Sequence, residues 1–176
     1  MANIPSEELT AWGESFEGKQ PREIVAAVVE RYVPKIVLAC SFGAEDVVLV
    51  DMVHRINPSV PLFYLDTEFL FPETYATRDR VIERYGLQPQ QVIQVKSSLT
   101  PEQQSAQHGE ALWTRHPDQC CELRKVEPLT RVLKGFDGAP IRVWGATSCN
   151  TESCASCLTG GERLPKSTGS VVCVRS

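Results

Sequence analysis

Residues 35–46 read KIVLACSFGAED, an apolar run that stops at a small-residue turn and is followed by a second apolar segment. Ile36, Val37, Leu38 and Ala39 form the kind of continuous run that is buried on both faces of a parallel sheet. From Ala44 to Ile56, apolar residues occupy positions 47–50, 52, 53 and 56, too many for a surface helix. The stretch reads as strand, loop, helix. A helix beginning near Ala44 aims unpaired backbone N–H groups and the positive end of its dipole at the space over Ser41 to Gly43, which suits a phosphate or sulfate. Gly43 lets such a ligand approach the backbone. Glu45 and Asp46 admit the plainer reading that they complement the helix terminus, and the turn by itself leaves both readings open.

Working outward, Glu7 to Phe16 reads as a short helix and Pro21 to Tyr32 as a better one, with Pro21 at its first position and Ile24, Val25, Val28, Val29 and Tyr32 on one stripe. Val60 to Leu65 is a second strand that runs into LDTEFLFPETY, residues 65–75. Asp66 and Thr67 then fall at the carboxyl end of a strand, where open α/β sheets bind ligands, and Pro72 can open the next helix. Asp66 can serve a ribose hydroxyl or act as an ordinary turn or cap residue. A helix from Glu73 to Tyr85 ends at Gly86, and Gln91 to Val95 is a third strand. Thr100-Pro101-Glu102-Gln103 has the form of a capping box. CCELRKVEPLTRVLKG, residues 120–135, reads as helix in two pieces broken before Pro128, and Ile141 to Gly145 as one more strand. Strands alternating with helices predict an α/β fold, a doubly wound, mainly parallel sheet with flanking helices.

A chain of 176 residues with 42% hydrophobic content suffices for one domain with a real core. The N-terminus has no secretory pattern and no segment approaches a membrane span, which reads as a cytoplasmic protein with no membrane partner. The net charge of −4 divides unevenly: residues 1–114 carry 9 Lys or Arg against 16 Asp or Glu, and residues 115–176 carry 9 against 6. The basic second half can gather an anionic substrate, but its excess is too small to argue for nucleic acid. Seven cysteines, an odd number, in a reducing compartment suit metal ligation, redox chemistry or burial better than disulfides.

Cys120 and Cys121 are adjacent, whereas two cysteine ligands of one tetrahedral zinc are ordinarily separated by at least two residues. An iron–sulfur cubane removes the difficulty, because each thiolate can take a different iron, and Arg124 and Lys125 one turn later would stabilise the negative cluster. Two buried thiols, or a strained vicinal disulfide, remain the plainer alternative.

Taken together, SFGAEDVVLVDM at 41–52, LDTEFLFPETY at 65–75 and CCELRKVEPL at 120–129 closely resemble the thioredoxin-dependent assimilatory adenylyl-sulfate reductases, relatives of the phosphoadenylyl-sulfate reductases. The resemblance covers residues 1 to about 137. It implies an adenine nucleotide alpha hydrolase-like fold, with Ser41, Phe42, Gly43 and Asp46 in a modified nucleotide-binding loop. It further implies that Leu65, Asp66 and Thr67 line an adenosine pocket, that Arg124 and Lys125 belong to the substrate site, and that Lys125 polarises the sulfate group. Cys120 and Cys121 would be two of four ligands of a 4Fe-4S cluster, and their presence points to adenylyl sulfate over the 3′-phosphorylated substrate. The implied reaction is attack by a cysteine thiolate on sulfur, expelling AMP, after which thioredoxin reduces the S-sulfonate to release sulfite.

The family's nucleophile lies in a Glu-Cys-Gly-Leu-His motif, downstream of a Cys-x-x-Cys pair and an Arg-Arg-x-Gln stretch. In this chain the likeness stops after Asp137, and neither the nucleophile motif nor the arginine stretch occurs. The division expected is a nucleotide-binding α/β unit over 1–145, incomplete, and an atypical tail over 146–176. From Ala146 to Ser176, 18 of 31 residues are Ser, Thr, Asn, Gly or Cys, a composition expected to be poorly ordered and too poor in aliphatics to finish a sheet. Cys154 and Cys157 have ligand-like spacing, but the nucleophile's role does not transfer to Cys173. The expectation is a truncated or frame-shifted reductase. Its alternatives are an inactive nucleotide-binding remnant, a phosphoadenylyl-sulfate reductase, or an ATP pyrophosphatase of the same superfamily. The last is disfavoured because Phe42 and Val47 stand where a Ser-Gly-Gly-x-Asp-Ser pyrophosphate loop needs Gly and Ser.

Overall fold

The structure is a computed structural model, and it describes residue 11, residues 14–134 and residues 172–174. Helix α1 (Pro21–Tyr32) starts at Pro21, where the Glu23 carboxylate accepts a hydrogen bond from the Gln20 backbone N–H at 2.8 Å. Strand β1 (Ile36–Ala39), helix α2 (Ala44–Ile56), strand β2 (Leu62–Asp66), helix α3 (Pro72–Tyr85) and strand β3 (Val92–Lys96) follow in alternation. Helix α3 ends at Gly86, whose φ of 59° is the left-handed cap that glycine takes without strain. Strands β2 and β3 are shifted by one or two residues from the spans expected at Val60 to Leu65 and Gln91 to Val95.

β1, β2 and β3 are parallel, in register at Leu38↔Leu62 and Leu62↔Val92, and the sheet order is β3-β2-β1-β4. Both crossovers advance in the same direction across the sheet, so a right-handed connection puts α2 and α3 on the same face. That face holds the larger core: Val25, Val28 and Val29 of α1, Val50 and Val53 of α2 and Val81 of α3 pack with Ile36, Leu38, Leu62 and Tyr64. Alternation along the strands turns Val37, Phe63 and Val95 to the opposite face, where Leu129 and Val132 cover them.

The cover for that second face arrives late in the chain. Helix α4 (Pro101–His108) is capped by Thr100, whose hydroxyl accepts from the Gln103 N–H at 3.2 Å while the Gln103 side chain accepts from the Thr100 N–H at 2.9 Å. Short helices α5 (Leu112–Arg115) and α6 (Pro117–Cys121) lead into a π-helical turn, Glu122–Val126, and then α7 (Glu127–Lys134). The break expected before Pro128 is therefore a wide turn and not an interruption. Pro128 has no N–H for the carbonyl of Arg124 and its ring would crowd that carbonyl, which a π turn accommodates without ending the helix.

Strand β4 (Val172–Val174) pairs antiparallel with β1, with Cys173 opposite Val37. Of the tail, residues 172–174 are described, and these join the sheet, three residues of high β-propensity being enough to pair with the edge of β1. The boundary expected at 145, the strand expected at Ile141 to Gly145, and Cys154 and Cys157 lie outside the described residues, as does most of the helix expected from Glu7 to Phe16.

Phe63 is 2% exposed at the centre of the second face, and Phe71 is 76% exposed. Phe63→Ala is expected to cost about 3–5 kcal/mol, and Phe71→Ala to stay within about 0.5 kcal/mol of the parent, in urea denaturation of the full chain.

Candidate functional site

The site is built from the loops that leave the carboxyl ends of β1 and β2 and from one helical segment. In the first, Asp46 is buried at 6% exposure, and one carboxylate oxygen accepts from both the backbone N–H and the hydroxyl of Ser41, each at 2.5 Å. Asp46 is thus a latch that folds the loop back onto the first turn of α2, more than a charge complement to the helix end. Phe42 sits at a φ of 62° and is buried, with its ring edge against Tyr64 at 5.2 Å. A non-glycine residue at positive φ is strained, and here the ring contact and the Ser41–Asp46 latch hold it. Gly43, at a φ of −69°, caps α2 without a side-chain bond, leaving the first-turn N–H groups facing the loop.

In the second loop the Asp66 side chain is committed internally. One oxygen accepts from the Glu68 N–H at 2.9 Å and the Tyr75 hydroxyl at 2.7 Å, and the other accepts from the Gln94 amide at 2.5 Å with the Lys96 ammonium at 4.0 Å. Burial works to raise the Asp66 carboxyl, but the donors of Tyr75, Glu68 and Gln94, with the Lys96 charge, outweigh it and hold the group below its ordinary 3.8. Burial and the same carboxylate push the Tyr75 phenol up to about 12. Of the two sequence readings of Asp66, the geometry favours the turn residue. It fixes the loop on which Leu65 and Thr67 stand, and Thr67 closes the next turn by accepting from the Phe69 N–H at 3.3 Å. Glu68, at a φ of 61°, projects from this turn.

The third component is the helical segment that carries the cysteines. Cys120 is buried and Cys121 half-buried. Arg124, on the π turn, is 2% exposed and ties the site together: its Nε donates to the Gln104 amide oxygen at 2.6 Å, and its Nη1 donates to Glu68 at 3.0 Å and to the Leu99 carbonyl at 2.9 Å. The Phe69 ring lies 5.1 Å from the guanidinium carbon. Its Nη2 is a buried donor with no hydrogen-bond partner. Gln104 in turn donates to the Cys120 sulfur at 3.8 Å. Lys125 is half-buried.

Among the described residues, no three or more His, Cys, Asp or Glu side chains converge to hold a metal ion. The pair Cys120 and Cys121 nevertheless suits two corners of a thiolate-ligated cluster. A buried cation with an unsatisfied donor lies one turn away, which is the environment an anionic sulfur group requires. Cys40 is a different case. Burial, reinforced by the Asp46 charge and only partly offset by a backbone hydrogen bond at Phe42, pushes its thiol up to about 12, so it is inert as a nucleophile.

The structure therefore joins Cys120 and Arg124 to the second loop, and links the first loop to the second strand through the Phe42–Tyr64 contact. Glu68, Gln104, Tyr75 and Gln94 were not singled out from the sequence. Tyr75 stood inside the LDTEFLFPETY stretch and Gln104 just beyond the capping box, but nothing local marks a residue whose partner lies 9 to 56 positions away. No helix among the described residues is long and apolar enough to cross a membrane.

Comparison with known proteins identifies the family. Residues 35–146 match the family described as the phosphoadenosine phosphosulfate reductase domain. The chain is similar to the adenosine 5′-phosphosulfate reductase of Halalkalibacterium halodurans, 42% identical over 124 residues, covering 70% of this chain and 53% of that protein. It is 47% identical over 105 residues to the adenosine 5′-phosphosulfate reductase 1 of Bacillus subtilis, covering 59% and 44%. With the phosphoadenosine 5′-phosphosulfate reductase of Gloeobacter violaceus it shares 42% identity over 130 residues, covering 73% and 51%. The chain spans about half the length of the curated relatives it matches. Among solved structures it resembles the phosphoadenylyl-sulfate (PAPS) reductase of Candida auris in a phosphate complex, with a TM-score of 0.65 and 26% identity over 75% of this chain and 64% of that one.

The Asp66 cluster makes a pH-dependent contribution to stability. A carboxyl whose folded pKa lies below its ordinary value adds stability that is complete above 3.8 and is lost as the pH falls through that value toward the lower folded pKa. Asp66→Asn is therefore expected to be less stable than the parent by about 1–3 kcal/mol near neutral pH. Its urea midpoint should fall less steeply than the parent's below about pH 4.

Proposed function

The chain belongs to the phosphoadenosine phosphosulfate reductase family, and from that premise we propose that it is the nucleotide-binding part of an assimilatory adenylyl-sulfate reductase of the cytoplasm. The substrate proposed is adenylyl sulfate, the reductant thioredoxin, and the products sulfite and AMP. The observation that carries the reading is Arg124: one buried guanidinium holds both the turn after Asp66 and the amide that contacts Cys120, so nucleotide loop and cysteine pair form one site.

In this reading the latched loop Ser41–Gly43 with Asp46 offers the first-turn N–H groups of α2 to the phosphosulfate end of the substrate. Leu65, Asp66 and Thr67 shape the adenosine pocket through their backbone, with the Asp66 carboxylate spent on holding that backbone still. Lys125 supplies positive charge to the sulfate oxygens as the S–O bond to phosphate breaks, and Arg124 keeps the surroundings cationic. Cys120 and Cys121 would hold two corners of a 4Fe-4S cluster, with Cys154 and Cys157 proposed as its further ligands. When bound, such a cluster supplies a polarisable anionic group against which the Lys125 cation is held.

The reaction requires a cysteine thiolate that attacks the substrate's sulfur: a sulfur–sulfur bond forms, the bond to the AMP oxygen breaks, and the two electrons of the thioredoxin dithiol then release sulfite and restore the thiol. The family's nucleophile motif does not occur in the sequence, and Cys40 is no substitute, being buried with its thiol pushed up to about 12. That favours a second reading, in which this chain binds nucleotide and cluster but turns nothing over by itself.

Calorimetric titration of the full chain with AMP and with adenylyl sulfate tests the proposal. Both are expected to bind, and Lys125→Ala is expected to weaken adenylyl sulfate by about tenfold, as for loss of one charge-assisted contact, with a smaller effect on AMP. Iron and acid-labile sulfide are expected in anaerobically purified parent protein and absent from Cys120→Ser/Cys121→Ser. Failure of either nucleotide to bind would overturn the reading. Sulfite production with thioredoxin separates a working reductase from a binding chain.

A further inference from the structure

Gln104 is as deeply buried as Arg124, at 2% exposure, yet it lies on α4, outside both strand-end loops and the cysteine segment. Its amide has two ends and both are engaged: Oε1 accepts from Arg124 Nε at 2.6 Å, and Nε2 donates to Cys120 Sγ at 3.8 Å. The orientation is set by chemistry, since a guanidinium can only donate, so the oxygen must face Arg124 and the NH2 must face sulfur. Arg124 continues the chain of bonds to Glu68 at 3.0 Å, and the Glu68 N–H is itself bonded to Asp66. Four side chains, Cys120, Gln104, Arg124 and Glu68, thereby run unbroken from the thiol to the turn after β2.

We infer that Gln104 is a positioning residue that keeps the Cys120 sulfur and the Glu68 turn in one hydrogen-bonded register, so that nucleotide at the turn and chemistry at Cys120 are energetically coupled. The inference rests on the proposed nucleotide site and adds to it a residue that touches neither nucleotide nor iron. An amide suits this position because it is uncharged, so it can be buried without an ion partner, and because it cannot bend between its two polar atoms. Any shift of the Glu68 turn moves Arg124, and the Gln104 amide must follow or lose a buried bond. An N–H directed at sulfur also stabilises the anionic thiolate or a ligated cluster sulfur.

The test uses the metal-free full chain, with AMP as the probe. The rate of N-ethylmaleimide addition at Cys120 is followed by mass spectrometry of the peptide containing it, with and without AMP at a concentration shown by titration to saturate each variant. In the parent, AMP is expected to change the Cys120 rate by about fivefold or more. Gln104→Glu keeps an acceptor toward Arg124 and removes the donor to sulfur, and there the AMP effect should shrink to less than about twofold. Gln104→Met, which removes both ends, should lose the effect as well and weaken AMP binding besides. Direct shielding of the thiol by AMP, or a merely structural role for Gln104, would leave the AMP effect in Gln104→Glu equal to the parent's, and that outcome overturns the inference. So does AMP binding that leaves Cys120 labelling unchanged in the parent. Absence of AMP binding to the parent overturns the proposed function and this inference with it, which keeps the two failures distinct.

Discussion

A guanidinium taken out of water must find its partners inside the protein, and in this chain Arg124 finds them on three separate segments. Glu68 comes from the turn after β2, the Leu99 carbonyl from the loop after β3, and Gln104 from α4. A buried charge with one partner removed is strongly destabilising, so these segments are held to the Arg124 position as firmly as to one another. Glu68 is shared in turn with Lys96 at 3.3 Å, and Arg131 of α7 donates to the Lys96 carbonyl. The charge network thus reaches from the strand ends to the helix that covers the second face of the sheet. The unpartnered Nη2 leaves room in this network for one more acceptor.

How far the sequence could announce this arrangement follows from the range of the interactions. The alternation of strands and helices, the cap at Thr100 and the stop at Gly86 are local, each set by a few neighbouring residues, and they are where periodicity and capping place them. The resemblance in three short motifs carried the family, and it could do so because those motifs cluster at the strand ends. What stayed hidden was long-range. Asp66 looked like either a ligand to a ribose or a turn residue, and only the positions of Tyr75 and Gln94, one on α3 and one on the neighbouring strand, show how its carboxylate is used. Gln104 looked like an ordinary helix residue. The strand at Val172 was missed because composition averages over a tail and cannot register that three residues are enough to pair with an open sheet edge.

The same logic explains why the first loop carries strain. Phe42 at positive φ directs a large ring into the protein, where Tyr64 and the core of the first face receive it. A glycine would adopt that conformation more cheaply, but it would leave the core without its ring. The loop is a place where a local conformational cost is offset by burial, and the Ser41–Asp46 latch limits its freedom to relax.

The π turn at Glu122–Val126 has a geometric consequence for everything after it. At about 100° per residue, an uninterrupted α-helix would place Leu129 roughly 180° and Val132 roughly 120° around the axis from Cys120. A turn that absorbs one extra residue without advancing brings them back to roughly 80° and 20°, the side of the helix on which Cys120 and Arg124 also lie. The wide turn acts as a phase shift. One helix can thereby present its cysteine and its arginine to the strand ends and, a few residues on, its aliphatic side chains to the second face of the same sheet.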